Sequence, residues 1–181
     1  KYLYQEKDKF KDLNETVDPY NEIPFAPEFD DLARLHYITL NRKVTTILEF
    51  GVGKSSIIFS DALRTNKEKW FSYTSKNLRK SNLYECHSVD NNNQWINKCR
   101  LKTPSELVSN NFVFFHKAEL NTSTFNGKVC TFFDPIPNIS PDLIYLDAPD
   151  QFSPKGDIKE LSTRHSDRMP MSGDILLFEH F

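Results

Sequence analysis

The stretch Thr46-Ile47-Leu48-Glu49-Phe50-Gly51-Val52-Gly53-Lys54-Ser55-Ser56 decides how the rest of the chain is interpreted. A short β-rich run ends at a glycine turn, and a helical pattern begins directly behind it. Gly53-Lys54-Ser55 has the ending of a P-loop, but that motif needs a glycine at position 48, where Leu48 lies inside the apolar strand. The sequence therefore disfavours a phosphate cradle and predicts that Lys54 is a solvated residue at the turn.

The glycine turn itself favours a different ligand. A strand that ends near Glu49 and runs into Gly51-x-Gly53 predicts a tight turn whose backbone can approach a ligand closely. The helix that begins near Ser55 directs its free N–H groups at the same space. Glu49 would repel a pyrophosphate, whereas it suits a cationic or hydroxyl-bearing ligand. A turn that merely connects a strand to a helix is the alternative.

Size and composition describe an ordinary globular chain. Its 181 residues suffice for one domain with a hydrophobic core, and a net charge of −2 gives no reason to propose a nucleic-acid partner. Cys86, Cys99 and Cys130 form no CxxC pattern, which favours free thiols in a reducing compartment. No apolar run approaches the roughly 18–20 residues of a membrane span, so we expect a cytoplasmic protein. Nothing in the sequence indicates an oligomeric state.

Strand and helix patterns alternate along most of the chain, which predicts an α/β fold with a doubly wound, mostly parallel sheet. Residues 1–43 are predicted as an N-terminal arm, Lys1 to Pro27, and a helix from Glu28 to Arg42. Residues 44–181 are predicted as one domain. The predicted strands are 44–50, 83–90, 112–116, 131–134, 142–147 and 174–178, the helices are 55–63 and 94–107, and residues 155–168 are partly helical. The polar stretch Thr65 to Leu83 is predicted as an extended connection or insertion.

Asp90 ends the second predicted strand of this domain. Its carboxylate could accept both hydroxyls of a ribose, which is the usual role of an acid at this place. It follows Glu49 by 41 positions, about twice the usual interval of around 20 residues, and the insertion at 65–83 would account for the surplus. A capping aspartate ahead of Asn91-Asn92-Asn93 is the alternative.

Three motifs together resemble class I S-adenosylmethionine-dependent methyltransferases, and most of all their small-molecule O-methyltransferases. They are Glu49-x-Gly51-x-Gly53, Asp90 and Asp142-Leu143-Ile144-Tyr145-Leu146-Asp147-Ala148-Pro149. The resemblance covers Val44 to Phe181 and implies a Rossmann-like fold that transfers a methyl group from S-adenosylmethionine to an oxygen or nitrogen of a small molecule. It implies that the glycine turn holds the methionine part of the cofactor, Asp90 the ribose, and Ala118 and Glu119 the adenine. The implied cofactor-binding residues are Glu49, Gly51, Gly53, Ser55, Asp90, Asn91, Ala118 and Glu119.

The resemblance also implies catalytic and metal-binding residues. Asp147 and His180 are the implied catalytic residues, and Asp147, Glu179 and His180 would bind Mg²⁺ or Mn²⁺ in a metal-dependent enzyme. Such a cation would lower the pKa of the acceptor hydroxyl. His165 is a further candidate general base, since histidine titrates near neutrality. Acids that simply cap turns at the strand ends are the alternative to a metal site.

The chain departs from the family pattern at its end. Phe181 follows the last predicted strand directly, which implies a sheet without the family's C-terminal hairpin, either truncated or reduced. A non-catalytic binding or scaffold module with the same fold is therefore a second hypothesis. A nicotinamide-dependent oxidoreductase is a third, although Ser56 stands where its G-x-G-x-x-G motif has the last glycine.

Overall fold

The computed structural model describes residues 28–148, 152–164, 167 and 171–179. The helices are α1 (Phe29–Asn41), α2 (Lys54–Asn77), α3 (Asn93–Lys102) and α4 (Ser105–Ser109), with a 3-10 helix at Asp174–Phe178. The strands are β1 (Thr46–Phe50), β2 (Glu85–Asp90), β3 (Val113–Lys117), β4 (Glu119–Phe125), β5 (Lys128–Asp134) and β6 (Leu143–Leu146). The predicted arm Lys1 to Pro27 lies outside the described residues.

Four strands form a parallel sheet in the order β3-β2-β1-β6. In its register Leu48 lies opposite His87 on one side and Ile144 on the other. The chain builds outward from β1 to β3 and then returns to the opposite side of β1 as β6. The prediction of an α/β fold with a parallel sheet is confirmed, and the carboxyl ends of β1, β2 and β6 meet at one edge.

Helices cover one face of this sheet. Successive side chains of a strand point to opposite faces, and Ile47 of β1 packs with Phe59 and Leu63 of α2 and with Leu107 of α4. Toward the carboxyl edge, α3 contributes Ile96 and Cys99, which pack with Val52, Trp95 and Phe115. We call this side the helix face.

An antiparallel hairpin, β4–β5, packs on the opposite face, which we call the hairpin face. Leu120 and Phe133 of the hairpin join Leu48, Phe50 and Val89 in one apolar cluster, to which Phe178 of the 3-10 helix also belongs. The rings of Phe50 and Phe133 stack with centroids 5.6 Å apart. In the part of the chain that the structure describes, this face is thus covered by the hairpin and a 3-10 helix.

The prediction of an extended connection from Thr65 to Leu83 is wrong for most of its length. Helix α2 continues without a break to Asn77, and the loop occupies only the residues after it. Internal hydrogen bonds anchor the polar half of the helix: Asn66 Nδ2 donates to two main-chain carbonyls at 3.0 Å, and Thr74 Oγ1 contacts the Tyr84 hydroxyl at 2.8 Å. The surplus residues between Glu49 and Asp90 therefore form a longer helix.

The predicted strand at 174–178 is also wrong, because this segment is a 3-10 helix. Asp174 is fully buried, and its carboxylate accepts hydrogen bonds from Phe133 N at 3.0 Å and Ser172 Oγ at 2.9 Å. These bonds fix the start of the segment against β5. Residues 155–164, predicted as partly helical, form isolated bridges instead, such as the one between Ile158 and Leu161.

The remaining predicted elements are confirmed with shifted ends. The helix predicted from Gln94 to Leu107 divides at Pro104 into α3 and α4 because proline lacks the N–H that a helix interior needs. Cys86, Cys99 and Cys130 are free, as expected, and all three are buried. Within the described ranges, none of the helices has the length and apolar character to cross a membrane.

Candidate functional site

The turn after β1 is shaped by Gly51. Its φ of 101° lies in the region that favours glycine, and a Cβ added there would lie 2.8 Å from Asp147 O and 3.1 Å from Ala148 Cβ. Gly51 N donates to Val89 O at 2.8 Å, and Asp147 N donates to Phe50 O at 2.9 Å. The turn is therefore packed between the ends of β2 and β6, and glycine is required by this packing as well as by the backbone angle.

Gly53 has different surroundings. A Cβ added there would meet only Ser55 Oγ, at 3.7 Å, so there is open space next to the first turn of α2. The Gly53 N–H donates to Ser56 Oγ at 3.1 Å. Lys54 is half-buried rather than fully solvated, and burial, followed by the nearby charge of Lys102, lowers the pKa of its amine. Gly53 is thus the position of the turn at which a ligand could approach the backbone.

Glu49 lies behind the turn on the helix face, fully buried. Its carboxylate accepts hydrogen bonds of 2.5 Å from three serine hydroxyls, those of Ser55 and Ser56 in α2 and of Ser88 in β2. Burial raises the pKa of Glu49 to about 7, against the lowering effect of the three hydroxyls, and the charge of Asp147 raises it further. The carboxylate therefore connects β1, β2 and the start of α2.

Asp90 ends β2 beside the same turn. One oxygen accepts a hydrogen bond from Val52 N at 2.9 Å and the other from Asn92 N at 2.7 Å, so the side chain joins the glycine turn to the turn before α3. Burial raises the pKa of this carboxyl above its ordinary value, against the lowering effect of the backbone hydrogen bonds. The capping of α3 itself belongs to Asn92, whose side chain accepts from Gln94 N and Trp95 N. The backbone of Asn91 is a third donor to this carboxylate. Since a carboxylate has about four lone-pair sites, Asp90 keeps acceptor capacity for one further hydrogen bond.

Asp147 follows β6 on the other side of the turn. Burial raises the pKa of Asp147 above its ordinary value, against the lowering effect of a hydrogen bond from the Tyr145 hydroxyl. Burial, the charge of Asp147 and the charge of Glu49 raise the pKa of Tyr145 to about 12. The structure thus brings Glu49, the glycine turn, Asp90 and Asp147 together at one edge of the sheet.

The residues predicted near an adenine divide into two environments. Ala118 is buried in the apolar cluster of the hairpin face, and its N–H donates to Asp90 O at 3.0 Å. Glu119 is exposed at the start of β4 and forms ion pairs with Lys155 and, at 3.6 Å, with Lys117. A hydrogen bond from Lys155 is the main cause that lowers the pKa of Glu119. Ala118 therefore adjoins the site, whereas the Glu119 side chain is held by lysines.

The predicted metal ligands are only partly described. Glu179 is exposed just after the 3-10 helix, while His180, the candidate base His165 and the loop residue Pro149 lie outside the described residues. Across residues 28–148, 152–164, 167 and 171–179, no group of three or more His, Cys, Asp or Glu side chains is arranged to hold a metal ion. The set Asp147, Glu179 and His180 stays a prediction.

The predicted site lacks several residues that hold the turn. Ser56 and Ser88 bind Glu49, the Trp95 indole N–H donates to Val52 O, and Cys99 Sγ contacts Gly53 O at 3.2 Å. The sequence contains one indication that serines bind Glu49, because a carboxylate inside an apolar strand needs buried hydrogen-bond donors. The serine pair directly after the turn supplies two of them.

Two cavities lie elsewhere on the surface. One, of about 350 Å³, is lined by residues 78–82 and by Asn138, Ile139, Ser140 and Asp142, near the amino ends of β2 and β6. The other, of about 570 Å³, is lined by residues of α2 and by Asn110 and Phe112. Neither contains a residue of the glycine turn in its lining.

Comparisons of the chain with models of protein families, with curated proteins and with solved structures give no match. A functional assignment therefore has to come from the geometry of the site.

Proposed function

We propose that the chain binds S-adenosylmethionine at the carboxyl edge of its parallel sheet and transfers the methyl group to an oxygen or nitrogen of a small molecule. The observation that supports this most is the strand order β3-β2-β1-β6 together with the positive φ of Gly51 and the acid at the end of β2. In open α/β sheets ligands bind beyond the carboxyl ends of the strands, where the strand order reverses. A doubly wound, Rossmann-like arrangement is part of this proposal.

The open space at Gly53 fits the methionine part of this cofactor, because the backbone there is accessible and the first N–H groups of α2 attract a carboxylate. The remaining acceptor capacity of Asp90 would accept a hydrogen bond from the ribose hydroxyls. Asp147 would face the reacting group. The cofactor supplies an electrophilic methyl group, and the chain's own contribution is to position the acceptor for direct displacement.

The proposal contains no step that uses a metal ion. Mg²⁺ and Mn²⁺ prefer several oxygen ligands, and the described residues do not assemble three such side chains around Asp147. His180 lies outside the described residues, so the set Asp147, Glu179 and His180 stays a prediction.

A second candidate function is a non-catalytic module that keeps the fold and binds the cofactor or a related nucleoside without turnover. It is favoured by the internal hydrogen bonds of Glu49 and Asp90, since both carboxylates have protein donors without any ligand. A nicotinamide cofactor is less well supported, because Ser56 occupies the third glycine position and its hydroxyl bonds Glu49.

Calorimetric titration of the whole chain with S-adenosylhomocysteine tests the binding step. We expect one site per chain, and we expect Asp90→Asn to weaken binding by roughly tenfold to a hundredfold because a charged hydrogen-bond acceptor is lost. Glu68→Gln, which changes an exposed acid of α2, serves as the matched control and should bind as the unmodified chain does. Absence of heat and of thermal stabilisation at millimolar ligand would count against both candidate functions.

Transfer of a radiolabelled methyl group to a panel of hydroxyl and amine acceptors separates the two candidates. Transfer that depends on Asp147 supports the enzyme. Tight binding of S-adenosylhomocysteine without transfer to any acceptor supports the non-catalytic module.

A further inference from the structure

A histidine pair lies on the hairpin face of the sheet. His87 of β2 lies opposite Leu48 in the register, and His116 of the edge strand β3 lies opposite Val89. Their nearest ring nitrogens, His87 Nδ1 and His116 Nε2, are 3.0 Å apart. The other nitrogen of His87, Nε2, is 2.9 Å from Glu85 Oε2. The three side chains thus form a chain across two neighbouring strands.

Hydrogen-bond chemistry restricts where these groups can carry their protons. An ionised carboxylate only accepts hydrogen bonds, so His87 Nε2 carries the proton that it donates to Glu85. Asn82 Nδ2 donates to the same carboxylate oxygen at 2.8 Å and so holds it in place. When both imidazoles are neutral, His87 Nδ1 is therefore the acceptor, and His116 Nε2 donates the hydrogen bond between the rings. One proton therefore occupies the space between two nitrogen atoms that could both present lone pairs.

The two rings lie almost in one plane. Their planes differ by 14°, and their centroids are 5.2 Å apart while the nitrogens are only 3.0 Å apart, so the rings meet edge to edge. Phe114, which faces His87 across the β2–β3 pairing, stacks on it with centroids 4.9 Å apart. In this arrangement the lone-pair directions of both imidazoles lie close to a common plane.

We propose that His87 and His116 form a binding site for a divalent transition-metal ion of the zinc, nickel and copper group, with His87 Nδ1 and His116 Nε2 as its ligands. The proton between the rings moves to His116 Nδ1, so both imidazoles stay neutral and each presents one lone pair to the ion. Zinc–nitrogen bonds of about 2.0–2.1 Å at a tetrahedral angle place two ligand nitrogens roughly 3.3 Å apart. The nitrogens of the pair need to separate by only a few tenths of an ångström from their 3.0 Å distance, together with a tilt of the rings. The site is independent of the proposed function.

The surroundings suit such an ion. A metal-binding histidine commonly donates its other N–H to a carboxylate, which fixes the ring and makes the metal-binding nitrogen more basic. Glu85 has this position behind His87. His87 is 7% exposed, whereas His116 is half-buried on an edge strand, so an ion with its remaining water ligands can approach from the side of His116. Imidazole nitrogen favours zinc, nickel and copper over magnesium or calcium.

Calorimetric titration of the whole chain with Zn²⁺ tests this site. We expect one ion per chain, and we expect His116→Gln to abolish this binding because a single imidazole remains. His36→Gln is the matched control: His36 also contacts a carboxylate, Asp61 at 3.2 Å, but it is not part of the imidazole pair that His87 and His116 form. An unchanged isotherm in His116→Gln would overturn the proposal.

Two further measurements do not depend on the folding of that variant. In the unmodified chain, Zn²⁺ should shift the imidazole proton resonances of His87 and His116 and leave those of His36 in place, and the opposite pattern would overturn the site. Glu85→Gln should retain the stoichiometry and weaken zinc binding by about tenfold or more, because the ring of His87 loses its carboxylate partner. Unchanged zinc affinity in Glu85→Gln would contradict the role of Glu85 behind His87.

Discussion

The two faces of β1 are stabilised by different interactions. On the helix face Glu49 is buried among three serine hydroxyls, while on the hairpin face Leu48 and Phe50 pack against Leu120 and Phe133. The contacts of the carboxylate are directional and position the glycine turn against β2 and α2. The contacts of the apolar cluster are non-directional and roughly proportional to the buried area. In this short strand Glu49 thus positions the turn, whereas its neighbours Leu48 and Phe50 stabilise the sheet.

This contrast predicts different responses to change. Loss of an apolar side chain should lower the free energy of unfolding at every pH, because apolar burial does not involve a proton. A change at Glu49 should alter how the free energy of unfolding depends on pH.

Phe133→Ala should lower the free energy of unfolding by about 3–5 kcal/mol, because it removes a buried aromatic ring and leaves a cavity. Phe133 is 3% exposed and stacks on Phe50, so little rearrangement can fill the space. Urea denaturation followed by circular dichroism measures the change. Leu101→Ala, on the exposed side of α3 at 87% exposure, is the control and should change stability by less than about 0.5 kcal/mol. Equal effects of the two variants would contradict the role of the hairpin in the core.

The buried carboxyl of Glu49 should make the protein less stable as the pH rises from about 4.5 to about 7. Its pKa is 4.5 in the unfolded reference and about 7 in the fold, so within this window the folded chain holds a proton that the unfolded chain has released. Stability falls wherever the folded state binds more protons. This pKa shift corresponds to about 3 kcal/mol in the free energy of unfolding, and this contribution is fully lost above pH 7.

Urea denaturation of the unmodified chain and of Glu49→Gln across this pH range isolates the effect. Glutamine resembles the protonated acid, so the two proteins should have similar stability near the low end of the window. The variant should then become the more stable one, by about 3 kcal/mol, near its upper end. Glu68→Gln should keep the slope of the unmodified chain. Parallel pH profiles of the unmodified chain and Glu49→Gln would exclude a buried, protonated Glu49.

The same contrast explains how much of the fold could be predicted from the sequence. Apolar periodicity predicts β1, β2, β3, β6 and α1, because apolar residues follow each other or recur regularly in the sequence of each. The polar half of α2 has no such stripe and depends on distant partners of residues such as Asn66, so it was predicted as a connection. The apolar run 174–178 resembles a strand, but the buried Asp174 fixes it as a 3-10 helix. The hairpin had a local signal, Asn126-Gly127, whose positive φ values of 49° and 77° are typical of a two-residue hairpin turn.

The candidate site, too, could be predicted only in part from the sequence. The positions of Glu49, Gly51, Gly53 and Asp90 at one edge follow from local patterns and from the parallel sheet. Their hydrogen-bond partners do not, because Ser88 is 39 positions from Glu49 and Val52 is 38 positions from Asp90. Such partners depend on the strand register, which a single sequence leaves open.

Substitutions at the two glycines of the turn have the smallest expected effects, and they compare a packed position with an open one. Gly51→Ala should lower the free energy of unfolding by about 1–3 kcal/mol, because alanine is strained at a φ of 101° and its Cβ would lie 2.8 Å from Asp147 O. Gly53→Ala should change stability by less than about 0.5 kcal/mol, since its φ of −165° suits any residue and its Cβ meets only Ser55 Oγ at 3.7 Å. Thermal unfolding measures both changes, and titration with S-adenosylhomocysteine should show weaker binding for Gly53→Ala, whose methyl group enters the open space. If Gly53→Ala proves the more destabilising variant, the division between a packed and an open glycine is wrong, and the open space beside α2 loses its basis as a ligand site.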